Sequence, residues 1–107
     1  MNKNIEFISN LYIGEGIAEH KLDKIKKKIL TKPILSGVYL ITFAQNQNDQ
    51  LDIFSARFLA QSYYQQVNTK VVGIANSYDG AIRLLEKIVQ DCLDRRGDCS
   101  LREYLSC

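Results

Sequence analysis

Long hydrophobic runs are missing from this chain. The longest, Val38 to Ala44, contains Thr42 and falls far short of the roughly 20 residues a membrane helix needs, so no membrane partner is expected. Met1 to Asn10 alternates polar and apolar residues without an apolar block behind a basic start, which does not read as a signal peptide. A large charge excess is missing too. With 14 Lys and Arg against 12 Asp and Glu, the net charge of +2 is too small for the strongly basic surface on which nucleic-acid binding usually depends. The one proline, 46% apolar and 24% charged residues exclude a disordered or low-complexity chain. Cysteine pairs are lacking as well: Cys92, Cys99 and Cys107 are odd in number and form no C-x-x-C, which predicts reduced thiols in a cytoplasmic protein. His20 is the only histidine, so neither a catalytic triad nor a zinc spacing is present, and no metal ligand or cofactor is assigned.

The length fits a single α/β domain over residues 1–107. Ile5 to Ile13 reads as a strand broken or bulged at Ser9-Asn10, with Gly14-Glu15-Gly16 freeing the turn that follows. From Ile17 to about Leu30, Ala18, Leu22, Ile25 and Ile29 recur at helical spacing; Lys21, Lys24, Lys27 and Lys28 lie on the flank or the opposite side, as a solvated face does. Val38 to Ala44 is continuously apolar and β-branched, the pattern of a central strand covered on both faces. Gln45 to Gln50 has loop composition, and a second helix is predicted from Leu51 or Asp52 to Gln66. Thr69 to Ala75 reads as the third strand. Ala81, Leu84, Leu85, Ile88 and Cys92 then line one face of a third helix that Gly97 stops, and Ser100 to Leu105 forms a helical turn.

This order, βαβαβα with short connections, predicts a three-stranded, mostly parallel sheet with helices packed on it, in strand order 1-2-3 or 2-1-3. In such sheets ligands bind beyond the carboxyl ends of the strands, where three loops would converge. Gly14, Glu15, Gly16, Asn46, Asp52, Asn76, Ser77 and Asp79 are the candidate ligand-binding residues there, for an anionic, phosphorylated small molecule at helix N-termini or for Mg²⁺ held by Glu15, Asp52 and Asp79. Against this, Asp52 and Asp79 also suit helix caps. The dinucleotide fingerprint fails at Glu19, and a receiver-like site lacks its lysine near the last strand.

The predicted second helix is apolar on two sides, Leu51, Phe54, Phe58 and Leu59 against Ile53, Ala56, Ala60 and Tyr64. Ile53, Arg57, Ala60 and Tyr64 are therefore the candidate interface, for a homodimer or an unidentified protein partner, since tyrosine and arginine are favoured at interface centres. The functional expectation is a non-enzymatic interaction or regulatory module that self-associates; the alternative is a small enzyme or sensor using the rim.

Val38-Tyr39-Leu40-Ile41-Thr42-Phe43-Ala44, Leu51-Asp52-Ile53-Phe54, Tyr63-Tyr64, Val71-Val72-Gly73-Ile74-Ala75 and the ending from Gly97-Asp98-Cys99 to Tyr104-Leu105 together resemble small uncharacterised bacterial α/β proteins. The resemblance implies a bacterial cytoplasmic domain and carries no activity or functional residue with it.

Overall fold

The computed structural model describes residues 4–45 and 50–106. Four strands, β1 (Ile5–Ile13), β2 (Tyr39–Phe43), β3 (Leu51–Ser55) and β4 (Thr69–Ala75), form one sheet in the order β1-β4-β2-β3. Only β1 and β4 run parallel; β2 is antiparallel to both of its neighbours. The expected three-stranded, mostly parallel βαβαβα sheet is thus corrected to a four-stranded mixed one. The difference arises in Leu51–Ser55, where the predicted second helix is strand β3, closing a hairpin with β2. Leu51 and Ile53 join one core cluster while Phe54 joins the other, which is the period of two that a strand imposes. What remains of that helix is a 3₁₀ segment, Ala56–Ala60, and the short α2 (Ser62–Gln66).

The helices lie on both faces of the sheet. On one, α3 (Tyr78–Arg96) buries Ala81, Leu84, Ile88 and Cys92 against Ile8, Ile41, Val72 and Ala75, and the terminal α4 (Leu101–Ser106) adds Leu101 and Leu105. On the other, Ile29 of α1 (Leu22–Thr31) and Ala56 and Leu59 of the 3₁₀ segment cover Ile5, Val38, Leu40, Val71 and Ile74. Each large aliphatic side chain so buried contributes about 1.5–3 kcal/mol. Residues 71–75 of β4 are all buried, so this strand rather than β2 alone forms the spine of the sheet. α3 comes close to that spine at Gly73, where a Cβ would stand 3.1 Å from Leu84 Cδ2 and 3.2 Å from Ile41 Cδ1. Gly97, at φ 79°, ends α3 in a left-handed turn that a side chain would strain.

β1 carries the irregularity expected near Ser9-Asn10. Phe7 pairs with Val71 and Tyr12 with Gly73, so β1 takes five steps while β4 takes two. Bulges of this kind re-aim side chains, and here Tyr12 joins the partly buried residues packed on the α3 side. No helix among the described residues is long and apolar enough to cross a membrane.

Candidate functional site

Because β1 and β4 are parallel, the two loops that follow them meet at one rim. The Gly14 N–H donates to Ile74 O at 2.8 Å, the Asn76 side chain lies beside Gly16, and Ser77 Oγ accepts from the Gly80 N–H at 3.0 Å, capping α3. Asp79 stands in the first turn of that helix. Gly14, Glu15, Gly16, Asn76, Ser77 and Asp79 are therefore brought together, beside a cleft of about 160 Å³ lined by Glu15, Arg83 and Lys87 among others.

The third predicted contributor does not arrive. β2 runs the other way, so the loop that follows it opens at the opposite end of the sheet, where Asp52 stands opposite Thr42. Asn46 lies outside the described residues. In their place the rim receives the start of β2 and the end of β3: Tyr39 pairs with both Ala75 and Ser55, and its ring meets Tyr78 edge to face at 5.8 Å. The Glu15, Asp52 and Asp79 arrangement for Mg²⁺ is not formed. Among the described residues no group of three or more His, Cys, Asp or Glu could hold a metal ion.

The predicted interface is divided in the same way. Ile53 packs toward the α3 side, whereas Tyr64 stacks on Phe54 on the other, with ring centroids 5.1 Å apart. Burial first, then the neighbouring Tyr63 and Asp52, push the Tyr64 phenol above its ordinary pKa. Arg57 and Ala60 are exposed on the 3₁₀ segment. Without a continuous helix over 51–66, the four residues share no face.

A larger cleft lies elsewhere, between β1 and the two last helices. It encloses about 500 Å³ and is lined by Ile8, Asn10, Tyr12, Asp91, Arg95, Arg96, Tyr104 and Leu105. At its centre Tyr12 Oη donates to Asp91 Oδ2 at 2.8 Å and stands 2.8 Å from Tyr104 Oη. An ionised carboxylate only accepts, so Tyr12's proton points to Asp91 and Tyr104 donates to Tyr12. Burial, reinforced by both hydrogen bonds, drives the Tyr12 phenol far above its ordinary range and keeps it protonated.

Two cations border these three side chains. Arg96 is committed, with Nε 3.1 Å from Asp98 Oδ1 and Nη2 bonded to Glu103; its bond to Asp98, together with that from the Ser100 N–H, holds the Asp98 carboxyl below the ordinary carboxylate range. The Arg95 guanidinium forms no ion pair among the described residues. Asp91 and Arg95 are one helical turn apart in the order that favours a mutual ion pair, yet no such pair is made. Asp91 and Arg95, with the ion-paired Arg96, therefore border the same space, beside the apolar walls of Ile8 and Leu105.

Sequence reasoning missed this cleft. The local signals were the i, i+4 spacing of Asp91 and Arg95 on α3 and a tyrosine just after the strand break. Comparisons with protein-family models, with curated proteins and with solved structures each returned no match.

Proposed function

We propose that the protein is a non-enzymatic regulatory interaction module whose input is a small zwitterion of the α-amino-acid class, bound in the cleft between β1 and α3. The observation that carries this reading is that Asp91 and Arg95 line one cleft without pairing with each other. A ligand with an ammonium and a carboxylate complements both, the guanidinium fork gripping the carboxylate and the unshared Asp91 oxygen taking the ammonium. The volume falls in the range of small-molecule sites, and Ile8 and Leu105 would cover an apolar side chain. Tyr12 and Tyr104 hold Asp91 in place, which supports binding rather than acid–base chemistry.

Calorimetry and thermal-shift assays with free amino acids, with their amides (no carboxylate) and with their N-acetyl forms (no ammonium) test this. Free amino acids are expected to stabilise the protein, both blocked series to fail, and Arg95→Ala to lose the response. No stabilisation by any free amino acid at about 100-fold excess over a millimolar Kd would overturn it, since a bound ligand adds about 2.7 kcal/mol there.

We further propose that the protein works in the reducing, cytoplasmic compartment of a bacterial cell. The free thiols of Cys92 and Cys99 support the compartment; a disulfide to either, found after thiol trapping of the native protein, would count against it.

A further inference from the structure

The open edge of the sheet at β3 carries an inference independent of the cleft. Among the described residues β3 ends the sheet and pairs with β2 alone. The phase of that ladder is fixed at both ends, by Ala56 N–H donating to Val38 O at 3.0 Å and Ala44 N–H donating to Gln50 O at 3.1 Å. Hydrogen-bonded and non-bonded pairs alternate along an antiparallel ladder. In the register Leu40 to Phe54 and Thr42 to Asp52, Phe54 and Asp52 therefore bond inward to β2, and Leu51 and Ile53 turn their N–H and C=O groups outward, as Ser55 does its N–H; the Ser55 carbonyl, at the N-cap of the 3₁₀ segment, serves that segment's first turn.

We infer that this edge pairs with the same edge of a second copy, antiparallel, about a two-fold axis at Ile53. Ile53 then faces Ile53 of the second copy, and the two exchange both of their hydrogen bonds, while Leu51 faces Ser55, whose outward N–H meets the Leu51 carbonyl. On the α3 side the half-buried Ile53 side chains cover one another and extend the apolar row of Tyr39, Ile41 and Phe43. On the other side Asp52 stands opposite Phe54 of the second copy, so the two carboxylates are diagonal, about 7–8 Å apart at their Cα atoms, rather than directly opposed. Self-complementarity of this kind is what an isologous dimer requires.

The opposite edge of the sheet argues for closure at two copies. β1 is interrupted by its bulge and exposes Glu6, Ser9 and Asn10, features that blunt an edge. β3 has neither bulge nor proline. Joining the β3 edges makes the two four-stranded sheets continuous and leaves only the blunted β1 edges free.

Ser55→Pro tests the pairing with little cost to the fold. Ser55 has φ −67°, the value proline imposes, and its N–H is not used by β2; only the 3.4 Å bond from the Arg57 N–H to its hydroxyl is lost. Sedimentation equilibrium of the full chain is expected to give a dimer, and Ser55→Pro to weaken the dimer by about ten-fold or more with an unchanged circular-dichroism spectrum. The axis is tested separately by cross-linking in a Cys99→Ser, Cys107→Ser background. Cα atoms of a hydrogen-bonded antiparallel pair lie about 5.5 Å apart, within disulfide reach, so Ile53→Cys should oxidise to a covalent dimer and Asp52→Cys should not. A wild-type protein monomeric at concentrations on the order of 100 µM, a dimer untouched by Ser55→Pro, or cross-linking at Asp52→Cys in preference to Ile53→Cys would each overturn the inference. Should Ser55→Pro fail to fold, the Ile53→Cys and Asp52→Cys pair decides alone.

Discussion

Tyr12 Oη and Asp91 Oδ2 lie 2.8 Å apart although 79 residues separate them in the chain, and the same phenol joins Tyr104, 92 residues away. One hydroxyl thus ties β1 to both C-terminal helices. Tyr12→Phe removes both bonds and leaves Asp91 without its partner, so a loss of about 1–3 kcal/mol is expected in urea or thermal unfolding. Tyr104→Phe, which leaves the bond to Asp91 intact, should cost less. Equal losses would mean that the two hydroxyls do not act in the order derived from Asp91.

The same phenol sets an alkaline limit. Its folded pKa is raised above the ordinary 10.0, so its contribution is complete below pH about 10, where both states are protonated. As pH rises further the unfolded chain releases this proton first, and stability falls. Stability measured from pH 8.5 to 11.5, a range of about three units around the unperturbed value, should fall more steeply for the wild type than for Tyr12→Phe. The residual slope of the variant includes Tyr64, whose phenol is also shifted upward.

Gly73→Ala places a methyl group between Leu84 and Ile41 at distances tighter than ordinary contact. A loss of about 1–3 kcal/mol is expected from this overpacking, read as a lower denaturant midpoint. A neutral result would show that α3 can move off the sheet without penalty.

Ser77→Ala deletes the side-chain acceptor for the Gly80 N–H at the start of α3. The expected loss is about 1 kcal/mol, with Ser77→Asp close to wild type because aspartate caps equally well.

Thiol reactivity should separate the cysteines. Cys92 is fully buried, burial raises its thiol pKa, and its Sγ donates to Asp98 O at 3.2 Å, while Cys99 is exposed. In a Cys107→Ser background a disulfide reagent should modify Cys99 at once and Cys92 only as the fold opens. Equal rates would contradict the packing of α3.

The sequence was most informative where one periodicity ruled. α3 has a single apolar face, and Val71 to Ala75 is apolar throughout, so both elements were legible, as was the break in β1. Leu51 to Phe54 satisfies helical and strand spacing together: Leu51 and Phe54 are three apart, Leu51 and Ile53 two apart. The polar stretch from Gln45 to Gln50 contains no glycine or proline to announce a hairpin. One misread strand then reversed β2, and with it the end of the sheet at which Asp52 stands. The rim survived in the part that depends on β1 and β4. The cleft was invisible because Tyr12, Asp91 and Tyr104 belong to three distant segments, and only the fold makes them neighbours.

The parallel contact between the first and fourth strands also orders events during synthesis. Of these four strands β1 is made first, yet among the described residues it pairs with β4 alone, with Ile5 meeting Thr69. The β2–β3 hairpin closes across a short loop and can form well before that long-range contact, whose closure entropy is larger. The first of the four strands is therefore the last one housed, and until β4 emerges its apolar residues must wait without this sheet to join.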